Sequence, residues 1–236
     1  MKGFQFEIRG PWAHFKRPET GNNPLSHDLM PKTALIGLIG AVLGIERCDM
    51  RPLFPVLSED ILYNIQLLRP IIKVPVGLTS WKAVKKPKNE KAPKRFEMIK
   101  NPAFLVTIAL CNEKSSQFYI DFVHAVRNGK SIYPPVLGIH NCPACLSLLS
   151  EGVVSDVEDG EFVTRGFVVA NQFVPDITAS GRIGFDKLPT YQNDDFWNLP
   201  DRYVQVVYPE YPQQLKGRGT YRKYTSETVE ECICLI

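Results

Sequence analysis

The sequence has no hydrophobic run long enough to cross a membrane. Its longest apolar stretch, Thr33–Ile45 (TALIGLIGAVLGI), covers about a dozen residues, the length of a buried helix rather than the roughly 20 that a span needs. No N-terminal targeting pattern is present either, since Met1-Lys2-Gly3 passes straight into alternating residues. No Walker-type glycine loop, no Ser/His/Asp order with a supporting motif and no paired-carboxylate motif stands out. That argues against the nucleotide hydrolases and acyl-transfer enzymes those motifs mark. The six cysteines do not resemble a secreted disulfide framework in a chain of 236 residues. Reduced thiols and a cytoplasmic location are therefore expected. Net charge is only +3, too little by itself to suggest nucleic acid.

What is present begins with alternation. Phe4, Phe6 and Ile8 face one way along residues 3–9 and Gln5, Glu7 and Arg9 the other, which predicts a half-buried strand with a polar face for solvent or ligand. A polar loop with His14, Lys16, Arg17 and His27 leads to Pro31 and the apolar helix Thr33–Ile45, expected to cover that strand. Gly37, Gly40 and Gly44 weaken such a helix unless something packs very close, expected here to be the face of a sheet. Free amides at its start, beside Lys32 and Thr33, form a candidate phosphate site; an ordinary core helix with solvent at its start is the alternative. Residues 50–60, with two prolines, are expected as a connector, and 61–74 as a strand that Pro70 confines to an edge or bulge. Ala103–Leu110 predicts a strand, Ser116–Arg127 a helix, and Pro135–His140 a short strand. The order is β-α-β-β-α-β, so the fold class is α+β, with a ferredoxin-like, RNA-recognition-motif-type domain over residues 1–150. A small β-rich domain is expected over 151–236, with strands at Phe162–Ala170, Arg202–Tyr208 and Glu231–Ile236.

The connection at about 75–102 is far longer than a hairpin needs. From Trp81 to Lys100 it carries eight Lys/Arg (Lys82, Lys85, Lys86, Lys88, Lys91, Lys94, Arg95, Lys100) against Glu90 and Glu97, a local charge of +6. A solvated lysine run is one reading. On an RNA-recognition-like sheet, with Trp81 and Phe96 at its borders for stacking, a nucleic-acid contact is the better one. Gly217-Arg218-Gly219 is a glycine–basic loop that would let backbone approach a phosphate, or a simple turn. His14 and His27 with Lys32 have the residue types for metal-free RNA cleavage, and equally for holding phosphates and bases; Trp12, Lys16 and Arg17 join them as candidate RNA contacts. His140 with Cys142 and Cys145 could open a zinc site completed by Cys232 and Cys234; buried, inert thiols are the alternative, and no metal or cofactor is expected. Leu53, Phe54, Phe196 and Trp197 fall in stretches expected to be irregular and are candidates for a partner surface.

Phe6-x-Ile8-x-Gly10, the run Trp12–Pro18 and the segment Asp28–Gly44 resemble the N-terminal signature of the CRISPR-associated Cas-five family of the RAMP superfamily, subunits of type I Cascade surveillance complexes. Tyr133–Gly138 through Cys142-Pro143-Ala144 is similar to that family's later strand motif. The resemblance implies a ferredoxin-like domain, a thumb hairpin onto which 75–102 maps, and a non-catalytic subunit that caps the 5′ handle of the CRISPR RNA. It implies as partners that RNA, a backbone subunit, the large subunit and, through the complex, target DNA near the PAM. It also places Lys32–Thr33 at a helix start facing the handle. One branch, in type I-C systems, processes precursor RNA with a tyrosine, a lysine and a histidine. His27 stands at the tyrosine's position here and no adjacent Lys-His pair follows, so the sequence is closer to type I-B; an endoribonuclease is the alternative.

Overall fold

Strand β1 (Lys2–Arg9) buries Phe4, Phe6 and Ile8 completely, as alternation on a pleated strand requires. The computed structural model describes residues 1–21, 23–81, 91–176, 178, 181–193 and 199–236, with the backbone alone at Ser80, Trp81, Lys91 and Ala92. After β1 come β2 (Trp12–Ala13), α1 (Lys32–Leu43), α2 (Arg47–Asp60), β3 (Ile61–Leu67), β4 (Lys73–Trp81), β5 (Lys91–Lys100), β6 (Ala103–Leu110), α3 (Ser116–Arg127) and β7 (Cys145–Val154). The C-terminal part adds β8 (Glu158–Thr164), β9 (Val168–Val169), β10 (Phe173–Pro175), β11 (Ile183–Tyr191), β12 (Arg202–Pro209), β13 (Leu215–Ser226) and β14 (Glu230–Ile233).

The main sheet runs β10-β13-β7-β1-β6-β3, with β8 and β14 also paired to β13. Two three-stranded sheets, β11-β12-β9 and β2-β5-β4, complete the fold. The result is a mixed α and β architecture of antiparallel sheets. Strands after residue 150 share a sheet with those before it, through β13 on β7, and share a core through Leu188, Val206 and Tyr208.

The helix over the Phe4 and Phe6 rings is α3. The Phe4 ring meets Tyr119 and Phe122 edge-on at 5.4 and 5.8 Å, and Phe6 meets Phe122 at 5.6 Å. Helix α1 packs against α2, α3 and β11 and shares one core with β1. Its close partner at Gly40 is a helix rather than a sheet face: a Cβ there would lie 2.6 Å from the Met50 sulfur of α2.

Other expectations need correction. Residues 50–60 are helical, because Met50, Leu53, Phe54 and Leu57 form an apolar stripe against α1 that outweighs the cost of Pro52 and Pro55, about 3 kcal/mol for an interior proline. Leu53 and Phe54 are thus half-buried core neighbours rather than irregular surface; Phe196 and Trp197 lie outside the described residues. The expected strand 61–74 is two strands in different sheets, parted around Pro70, with β3 at an edge of the main sheet. The segment Pro135–His140 makes only the isolated bridge Val136–Pro143, and β7 supplies the strand after α3. Gly217-Arg218-Gly219 is no loop but part of β13, between β8 and β10. Side chains at Gly217 and Gly219 would meet the Val174 and Gln172 carbonyls at 2.3 and 2.1 Å, so these glycines admit a neighbouring strand.

Candidate nucleic-acid interface

The long connection is an antiparallel ladder from Lys73–Ile99 to Trp81–Lys91, and β2 adds to it through Trp12–Lys100 and Ala13–Ile99. Its root is embedded, with Met98 and Ile99 buried and the Phe96 ring edge-on to His14 at 5.3 Å. Further out, Lys94 and Arg95 are exposed. Lys85, Lys86 and Lys88 lie outside the described residues, as do the side chains of Trp81 and Lys91.

Charged groups fasten the root. The Lys73 ammonium lies 2.5 Å from Asp28 and 3.0 Å from Glu97 and donates to the Ser26 carbonyl at 2.8 Å. Glu97 accepts from the Ser26 amide at 3.2 Å, its own amide donates to Pro24, and its carbonyl meets His14 Nδ1 at 2.8 Å. Burial alone would raise the Glu97 pKa, but Lys73 and the Ser26 amide outweigh it and hold the carboxyl below its ordinary value.

The same loop is tied to the C-terminal half. Asp186 of β11 is fully buried and meets His27 Nδ1 at 2.9 Å, the Asp28 amide at 2.9 Å and Arg17 at 3.4 Å. Burial pushes its pKa up, yet the His27 hydrogen bond and charge, the Asp28 amide and Arg17 together leave it lowered. Tyr208 of β12 donates to Asp28. One polar cluster therefore joins the loop after β2, the hairpin root and the β11–β12 sheet.

A family model described as CRISPR-associated protein (Cas_Cas5) matches residues 3–167, which include both hairpin strands and the whole of this loop. The chain belongs to the CRISPR-associated Cas5 family. Two solved structures share its fold. A CRISPR protein from Archaeoglobus fulgidus is 11% identical with a TM-score of 0.60, over 98% of this chain and 99% of that one. A chain of a CRISPR RNA-guided surveillance complex is 14% identical with a TM-score of 0.56, over 88% of this chain and 90% of that one. No match is found among curated proteins.

In this Cas5 chain the predicted site residues separate into two groups. Lys16, Lys94 and Arg95 are exposed, Arg17 and Trp12 are half-buried, and all belong to the hairpin or the loop at its root. His14 and His27 are each only 1% exposed: their Nδ1 atoms are engaged at the root, and each Nε2 is buried without a partner among the described residues. Lys32 is also buried, at 4% exposure, donating to the Ser58 carbonyl at 2.7 Å; burial pushes its pKa down to about 8. Its ammonium is aimed at α2 rather than at a phosphate, while Thr33 is half-buried beside it. Arg218 is exposed near Asp159 on β13, in a different sheet from the hairpin. Among the described residues no group of three His, Cys, Asp or Glu side chains could hold a metal ion.

Sequence reasoning missed Lys73, Glu97, Asp186 and Tyr208. The signal for Asp186 is faint: it shares a strand face with buried Leu188, but the exposed Phe185 beside it points the register the wrong way.

Proposed function

We propose that this Cas5 protein is a non-catalytic subunit of a type I CRISPR surveillance complex that holds the 5′ handle of the guide RNA. The observation that carries the reading is the family match spanning a locally basic hairpin whose root is fastened by half-buried ion pairs. A fastened root presents Lys94 and Arg95 outward at fixed register, which suits phosphate contacts that position RNA without reading bases. The strand order β7-β1-β6-β3, with α1 and α3 in the two crossovers, supports describing the N-terminal part as ferredoxin-like and the hairpin as the family's thumb. A backbone subunit and the large subunit, with target DNA near the PAM, are the partners this role requires.

One observation favours the alternative, a metal-independent endoribonuclease. His27 and Asp186 pair as a base and its orienting carboxylate do. A base must come within hydrogen-bond reach of the hydroxyl it deprotonates, and His27 Nε2 is enclosed. The two readings part on incubation of purified protein with repeat RNA in EDTA. A stable complex with intact RNA is expected; a single cut that His27→Ala abolishes would install the endoribonuclease.

A further inference from the structure

The face of the main sheet turned away from α3 carries a cavity that the hairpin does not use. Glu7 of β1 and Gln66 of β3 both stand opposite Leu105 of β6, so they share that face, while Phe6, Val106 and Ile65 share the other. Glu7, Arg9 and Gln66 line the cavity from the sheet side. Arg69, at the break between β3 and β4, Arg165, next to the bridge from Gln66 to Gly166, and Tyr211, between β12 and β13, line it from around. Its volume is about 590 Å³, inside the roughly 300–1,000 Å³ of clefts that hold small organic groups.

Three guanidinium groups reach one concave surface against a single carboxylate. Glu7 is already paired with Arg9. Arg165 lies 2.9 Å from the Gln214 side-chain oxygen in the amide orientation that satisfies both groups. Arg69 has no hydrogen bond or ion pair among the described residues. Arg69 therefore stands uncompensated at the cavity, beside a tyrosine ring that is 44% exposed, while Arg165 also faces the Glu231 carboxylate.

We propose that this cavity seats one splayed-out nucleotide of single-stranded RNA, with Arg69 and Arg165 on its phosphates and Tyr211 against its base. The proposal rests on the RNA-binding reading of the chain. Guanidinium forks match phosphate oxygens in pairs. Unstacked bases in single strands lie on aromatic rings and have their edges read by amide side chains such as Gln66. An acidic peptide would use the arginines but leave the ring and the amide without a role.

The test uses the full chain and a labelled oligouridine of about ten nucleotides carrying 4-thiouridine, within the usual site size for single strands. Photocrosslinks mapped by mass spectrometry are expected at Tyr211. Arg69→Glu should weaken binding about tenfold and lower the salt slope by about 0.7, one phosphate contact. Tyr211→Ala should weaken it comparably, and Tyr211→Phe should restore it. Both sites are exposed, so thermal unfolding should be unchanged in all three variants, which separates lost contact from lost fold. Wild-type affinity in Arg69→Glu and Tyr211→Ala, alongside lost affinity in a Lys94→Glu, Arg95→Glu double variant, overturns the cavity and leaves the RNA reading standing. Wild-type protein that binds no RNA overturns both. Arginine-dependent capture of polyglutamate without RNA overturns the nucleotide assignment in favour of a protein ligand.

Discussion

Lys73 and Lys94 stand on the two strands of one hairpin in opposite surroundings. At the root, Lys73 is enclosed by Asp28, Glu97 and the Ser26 carbonyl. Further out, Lys94 and its neighbour Arg95 are exposed, with no ion pair among the described residues. The residue types are the same; the carboxylates opposite them are not. A cation met by carboxylates holds the chain to itself, whereas one left unmet remains available to an anionic ligand. In this hairpin the division follows position, with fastened cations at the base and exposed, unpaired ones further out among the described residues.

The largest effect should come from breaking the root from its C-terminal side. Asp186→Ala leaves His27, Arg17 and the Asp28 amide without their acceptor, and removing one member of a buried ionic cluster costs about 3 kcal/mol. Urea unfolding measures this directly, and a loss under about 0.5 kcal/mol would mean the cluster is solvated. The effect should depend on pH. Asp186 titrates below its ordinary value in the fold, so as pH falls the unfolded chain takes up the proton first. Its contribution is whole above about pH 4 and is lost below that. Wild type and Asp186→Asn should therefore converge in strongly acid solution.

Next in size is the outer hairpin. Lys94→Glu with Arg95→Glu should lower RNA affinity about tenfold and the salt slope by about 1.4, two single-strand phosphate contacts. The unfolding midpoint should not move, since exposed charges contribute little to stability. A shifted midpoint with an unchanged slope would reverse the proposed division of labour.

Lys32 sharpens the comparison with a third environment, since its buried ammonium donates to a carbonyl rather than to a carboxylate. Burial pushes its pKa down to about 8, while the unfolded value is about 10.4. Between those values the unfolded chain binds more protons, so wild-type stability should rise with pH relative to Lys32→Met. A constant difference from pH 7 to 10 would count against the buried placement.

Much of the scaffold was legible because its signals are local. Strands β1 and β6 and helix α3 follow from apolar periodicity, whereas the long basic connection became a hairpin only through the family resemblance. Helix α2 was hidden by Pro52 and Pro55, whose cost is repaid by packing on α1 that no local window contains. Strand β13 was hidden by Gly217 and Gly219, which look like a turn until β10 is known to lie against them. The basic candidates could be found by type, but their state could not. Asp186 decides whether His27 is a free base or a fastening, and it stands in a strand far along the chain.

Strand β13 also orders events during synthesis. It pairs with β7, β8, β10 and β14, and among the described residues β8 and β10 have no other partner in a sheet. Both leave the ribosome before it. The end of β8 precedes the start of β13 by roughly 50 residues, several seconds at about 5–20 residues per second. Through that interval two nascent strands carry unsatisfied edges, the state in which chains pair with the wrong neighbour. The C-terminal half thus closes late, when a single strand arrives to join β7, β8 and β10, and β14 follows to pair with it.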